Sequence, residues 1–152
     1  MFKKFYFENI LIILFFLFFS PASLAEDIFL SLKKDNVNVR YGPSFESPIK
    51  FVYRKINLPI KQIDKKENFR RIIDLKNNSG WIHISQLKKT NSLIALKDKT
   101  LFKKPSNLSE PIAKIKTGRV LIVKKCDRDW CKIMSGKFKG WIDKKNLWGN
   151  IK

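Results

Sequence analysis

Cys126 and Cys131 are the only cysteines in this chain of 152 residues, and His83 is its only histidine. These three side chains bound its covalent and metal chemistry. The C-x₄-C spacing is not the C-x-x-C of redox enzymes, and two thiols with one histidine fall short of a four-ligand zinc site. Between the cysteines, Asp127-Arg128-Asp129-Trp130 reads as a tight β-hairpin tip that sets them opposite each other. Opposed hairpin residues have Cα atoms about 4.5–5.5 Å apart, which a disulfide spans, and so short a bridge contributes roughly 2 kcal/mol. That bond consumes both thiols and leaves no Cys-His nucleophile pair. Asp127 and Asp129 read as a hairpin tip with no cleft evident from the sequence, and no glycine-rich phosphate loop occurs. The expectation is a protein that binds rather than catalyses, without cofactor or metal.

Binding candidates are aromatic and cationic. Arg40-Tyr41 borders the turn Gly42-Pro43, where side chains are presented rather than packed. One reading is a guanidinium and a ring that receive an acidic or peptide ligand; the other is loop decoration with Tyr41 along a barrel edge. Tyr53-Arg54 follows on the next strand and is a candidate for the same surface. Trp81 and Trp141 each follow a glycine, so an indole covers a barrel end beside a closely approaching strand, or stacks on a ligand. Phe69 and Trp130 hold equivalent positions and read as core.

The equivalences come from an internal repeat of about 60 residues. Pro48-Ile49 answers to Pro111-Ile112, Phe69 to Trp130, Gly80-Trp81-Ile82 to Gly140-Trp141-Ile142, and Leu87 to Leu147. Each copy consists of short β-branched or aromatic segments separated by turn residues, the pattern of a small all-β barrel. Strands are expected near 36–40, 49–54, 58–64, 69–74 and 80–83, and near 93–96, 112–115, 120–125, 130–134 and 140–142. Residues 76–80 and 135–140 read as hairpin turns, because Asn and Gly tolerate a left-handed backbone. Residues 84–87 and 143–147 read as single 3₁₀ turns. The short link after Leu87 keeps the two barrels in contact.

The phrase "VNVRYGPSFESPI…FRRIIDLKNNSGWIHISQL" resembles the bacterial SH3 (SH3b) domain, which opens on N-V-R-x-G-P and closes on G-W-[IV] with a final leucine. "CDRDWCKIMSGKFKGWIDKKNLWG" looks like the second domain of a tandem pair. The second copy departs where Leu101-Phe-Lys-Lys-Pro105 replaces V-R-x-G-P, so a surface built on Arg40 and Tyr41 is absent from it. The resemblance implies two tandem SH3-like β-barrels of five or six strands, used as binding modules for a peptide, peptidoglycan or an envelope protein.

Residues 1–25 have the parts of a secretory signal: Lys3 and Lys4, ten apolar residues from Ile10 to Phe19, and Ser23-Leu24-Ala25 before the cut. The apolar run is shorter than the roughly 20 residues a membrane-spanning helix needs, so membrane contact is expected only if the signal stays uncleaved. The domains are then 1–25 signal peptide, 26–88 first barrel and 89–152 second barrel, with no room for a hydrolase, in an exported and periplasmic protein. Net charge is +19, and the signal carries Lys3, Lys4 and Glu8, leaving +18. That excess admits an electrostatic polyanion-binding envelope protein, or compositional drift toward lysine, which outnumbers arginine 26 to 6. Nucleic acid is not expected outside the cytoplasm.

Overall fold

The computed structural model describes residues 27–150; residues 1–25, read above as a secretory signal, lie outside the described residues. Two seven-stranded antiparallel sheets follow one another. The first holds β1 (Ile28–Leu32), β2 (Val37–Arg40), β3 (Ile49–Tyr53), β4 (Pro59–Lys66), β5 (Phe69–Ile73), β6 (Ser79–His83) and β7 (Leu87–Lys89). The second holds β8 (Ser92–Ala95), β9 (Lys99–Phe102), β10 (Pro111–Ile115), β11 (Val120–Asp127), β12 (Trp130–Ser135), β13 (Phe138–Asp143) and β14 (Leu147–Trp148). Their orders, β3-β2-β6-β5-β4-β1-β7 and β10-β9-β13-β12-β11-β8-β14, are the same arrangement twice. The described residues contain no α-helix.

Period-two patterning produces each core. On β6, Gly80 and Ile82 point inward and Trp81 and His83 outward; on β13, Gly140 and Ile142 point inward and Trp141 and Asp143 outward. Leu32, Val37, Val39, Ile60, Ile72 and Ile82 fill the first barrel. Leu101, Leu121, Ile133 and Ile142, with Cys131, fill the second.

The structure has strands the sequence reading lacks. β7, β9 and β14 are short segments whose state comes from neighbours rather than from composition, two-residue β14 being held by β8; five-residue β1, Ile-Phe-Leu-Ser-Leu, pairs with β4 and β7. Of the two expected 3₁₀ turns, only Ile84–Gln86 forms. Its counterpart is an ordinary turn, because Asn146 stands at φ 52°, which a right-handed helix cannot contain. The expected turn at 76–80 lies earlier, at 74–78, where the Asp74 carboxylate accepts the Lys76 and Asn78 N–H groups and Asn77 adopts φ 64°. Register also revises one equivalence. Arg40 pairs with Ile49 and Phe102 with Pro111, so Pro111 replaces Ile49, not Pro48.

Cys126 and Cys131 pair across β11 and β12 and are bridged, with Cα atoms 4.1 Å apart. Removing the bridge frees a short loop in the unfolded chain, and the closure entropy is worth about 2 kcal/mol. Reduction should therefore lower the melting temperature of the second barrel by roughly 10 °C. A melt unchanged by dithiothreitol, with reduction verified by mass, would refute the contribution.

Only Thr90 and Asn91 separate β7 from β8, and the barrels meet through a buried polar cluster. The Ser31 hydroxyl donates to Thr90 Oγ1 at 3.0 Å and lies 2.8 Å from Ser92 Oγ, which donates to the Asn57 carbonyl at 2.6 Å. Beside it, Phe29 meets Trp148 edge to face at 5.0 Å. Every hydroxyl of the trio has a partner, so the seam carries no desolvation penalty from an unmet polar group.

Candidate functional site

The loop between β2 and β3 closes with the same hydrogen bonds as its counterpart between β9 and β10, but the side chains it carries differ. Arg40, predicted as a ligand contact, turns into its own loop: its guanidinium donates to the carbonyls of Phe45 at 2.9 Å and Ser47 at 2.7 Å. Its Cζ lies 5.7 Å from the Phe45 ring centroid. This tether lays Phe45 over the outward face of the sheet, 5.3 Å from Phe69 and 4.9 Å from His83. Phe45 stays 58% exposed while Phe69 beneath it falls to 6%. His83 is further fixed by its Nδ1 at 2.7 Å from Ser85 Oγ.

In the second barrel each of those positions changes. Trp141 pairs with Phe102 as Trp81 pairs with Arg40, so Phe102 replaces the tethering arginine and supplies no donors. Trp130 pairs with Asp143 as Phe69 pairs with His83. The Leu108 N–H meets Ser106 Oγ as the Glu46 N–H meets Ser44 Oγ, which places Asn107 where Phe45 stands. The result is an open groove of about 570 Å³, within the range of small-ligand clefts. Trp130, seated edge to face on Phe102 at 5.9 Å, lines it beside Asn107.

The groove collects carboxylates in a barrel otherwise rich in lysine: Asp98, Asp129 and Asp143 all line it. Two are neutralised. Lys99, 5% exposed, donates to both Asp143 oxygens at 3.0 and 2.9 Å and to the Lys145 carbonyl at 2.8 Å. Lys116 donates to Asp98 at 2.7 Å, and with the Thr117 N–H and hydroxyl this bond pulls the Asp98 carboxyl down to about 2. Asp129 has no ion pair among the described residues. The lining is thus one indole, two amides, a free carboxylate, two paired ones and lysines, suited to a short segment with both a basic and an acidic end.

The other predicted residues scatter. Tyr41 is 65% exposed, with the Lys50 ammonium 5.6 Å from its ring centroid. Tyr53 stands at the far end of the hairpin, opposite Val37, so it shares no surface with Tyr41. It is half-buried against Phe51 at 5.1 Å and donates to Asp74 at 2.9 Å; burial, then that bond, raises its phenol above the ordinary value. Arg54 is exposed. Trp81 and Trp141 belong to neither core cluster; both stand half-buried on outward faces, the latter with Lys125 and Lys132 ammoniums 5.5 and 5.8 Å from its ring. Trp130, expected in the core, is half-buried and faces the groove. Phe45 and Asn107 escaped notice, although Pro43-Ser44-Phe45-Glu46-Ser47 and Pro105-Ser106-Asn107-Leu108-Ser109 align them by sequence alone.

The family described as Bacterial SH3 domain matches the sequence twice, at residues 33–89 and 97–149. No curated protein matches. Among solved structures, the chain is similar to NlpC2 from Trichomonas vaginalis, at 12% identity and a TM-score of 0.38, covering 84% of this chain and 50% of that one. NlpC1 from the same organism gives 11% identity and a TM-score of 0.36, covering 83% and 47%. The chain thus spans about half the length of these two structures.

Proposed function

This chain belongs to the bacterial SH3 domain family and carries two copies of the domain in tandem, and from that premise we propose that it is an exported, noncatalytic binding protein whose second barrel takes a short peptide segment of peptidoglycan or of an envelope protein. The observation that carries the reading is the open groove at Trp130, at the place where the first barrel is covered by its own Phe45. An extended segment laid on the indole gains the burial that makes tryptophan a recurrent binding anchor, and Asp129 accepts a basic group at its end. Noncatalytic action is supported by the commitment of both thiols to the disulfide and of His83 to Ser85, Phe45 and Phe69. The disulfide suits an oxidising compartment, which with the signal read at residues 1–25 supports the periplasm.

Sedimentation of the mature chain with isolated peptidoglycan sacculi tests the reading. Trp130→Ala should weaken retention by about 30-fold, the size of a tryptophan anchor, while Tyr41→Ala leaves it unchanged. A thermal melt verifies that each variant is folded. Loss with Tyr41→Ala alone would move the site to the first barrel's rim; retention indifferent to both would end the proposal for this partner.

A further inference from the structure

We infer that a hollow where the barrels meet is a binding site for phosphate groups, separate from the groove and independent of its reading. The hollow has a volume of about 680 Å³. Five of its lining residues are lysines, Lys88, Lys89, Lys124, Lys125 and Lys144, and no carboxylate among the described residues lines it. None of the five ammoniums has an ion-pair partner among the described residues. Thr90 and Asn91, the link between the barrels, complete the polar part of its wall, so the hollow exists only in the tandem.

The first barrel shows what the corresponding positions hold in the other copy. β11 bulges between Val123 and Lys125 as β4 bulges between Gln62 and Asp64, which sets Lys124 and Lys125 where the first copy has Ile63 and Asp64. The Lys144 N–H meets the Asp129 carbonyl as the Ile84 N–H meets that of Asn68, so Lys144 replaces Ile84. Two isoleucines and an aspartate in one copy are three lysines in the other, all exposed, around one concavity.

The cations also select the anion. Lysine is a point charge rather than a planar fork, and these ammoniums come from β7, from the β11 bulge and from the turn after β13. A tetrahedral phosphate offers oxygens in several directions at once, whereas a carboxylate offers two in a plane. The Lys125 ammonium lies 5.5 Å from the Trp141 ring centroid, so an anion that draws it away alters the indole's surroundings.

The test uses the mature chain with inorganic pyrophosphate by calorimetry, and with phosphatidylglycerol vesicles against phosphatidylcholine vesicles by sedimentation. The variant K124Q/K125Q/K144Q is set against K65Q/K66Q/K76Q, which removes the same charge from exposed lysines of the first barrel. Saturable binding in either arm that falls at least about tenfold in the first variant, and less than about twofold in the second, bears out the site. The responding arm tells free phosphate from lipid headgroup. Equal losses in the two variants, or no saturable binding in either arm, would overturn it.

Discussion

Asn107→Phe should close the groove of the second barrel and abolish retention on sacculi, a loss of at least about tenfold, while leaving the barrel as stable as before or slightly more so. The substitution transplants what the first barrel already has. There, Phe45 lies 5.3 Å from Phe69; in the second barrel, a ring at 107 meets Trp130 at the equivalent position. Aromatic pairs contribute roughly 0.5–1.5 kcal/mol beyond burial, which sets the scale of the stability gain. Arg40 holds the first loop down through two carbonyls, so the double variant Phe102→Arg/Asn107→Phe supplies the tether along with the cover. Tryptophan emission, shifted to the blue as Trp130 is covered, reports closure independently of any ligand. A closed groove with undiminished retention would exclude it as the binding surface.

Gly140→Val should unfold the second barrel. A Cβ at Gly140 would stand 2.6 Å from the Phe102 carbonyl oxygen and 2.8 Å from Leu101 Cγ. The first obstacle is backbone and the second is a fully buried side chain, so neither swings aside. The site is also the crossing of β13 over β9, whose register rests on the pairing of Trp141 with Phe102. Overpacking costs typically 1–3 kcal/mol and more where backbone must shift; here about 3 kcal/mol or above is expected. Against a stability of roughly 3–9 kcal/mol for some 60 residues, that loss is decisive. Urea unfolding followed by near-ultraviolet circular dichroism measures it, and a cost below about 1 kcal/mol would show that the strands separate more easily than this packing implies.

The all-β tandem was legible because its signals are local and duplicated. Gly80-Trp81-Ile82 and Gly140-Trp141-Ile142 mark one strand twice, and Cys126 and Cys131 declare their hairpin by spacing alone. The family match at residues 33–89 and 97–149 agrees with what the N-V-R-x-G-P and G-W-I phrases imply. Short strands were harder: β9 reads Lys-Thr-Leu-Phe, and only its sheet partners make it a strand. The groove was less legible still. Whether a loop arginine reaches outward or donates to its own carbonyls depends on how that loop closes, which no alternation records. The neighbouring Phe45 is likewise an unremarked turn residue until Arg40 pins it. Pairing Pro48 with Pro111 hid the aligned Pro-Ser of the two loops, where the exchange of Phe45 for Asn107 stands in plain view. The phosphate hollow needed both a bulge and a seam, neither of which lies in any contiguous stretch.

The hydroxyl trio of Ser31, Thr90 and Ser92 bears on whether either copy can stand alone. Its members come from either side of the duplication point, and their equivalents in the opposite copy are different residues: β1 and β8 align Leu30 with Leu93, setting Ser31 against Ile94 and Ser92 against Phe29. The two halves are therefore fitted to each other and are not interchangeable at this seam. A fragment encoding either half alone would expose serines and an aromatic edge shaped for a companion it no longer has.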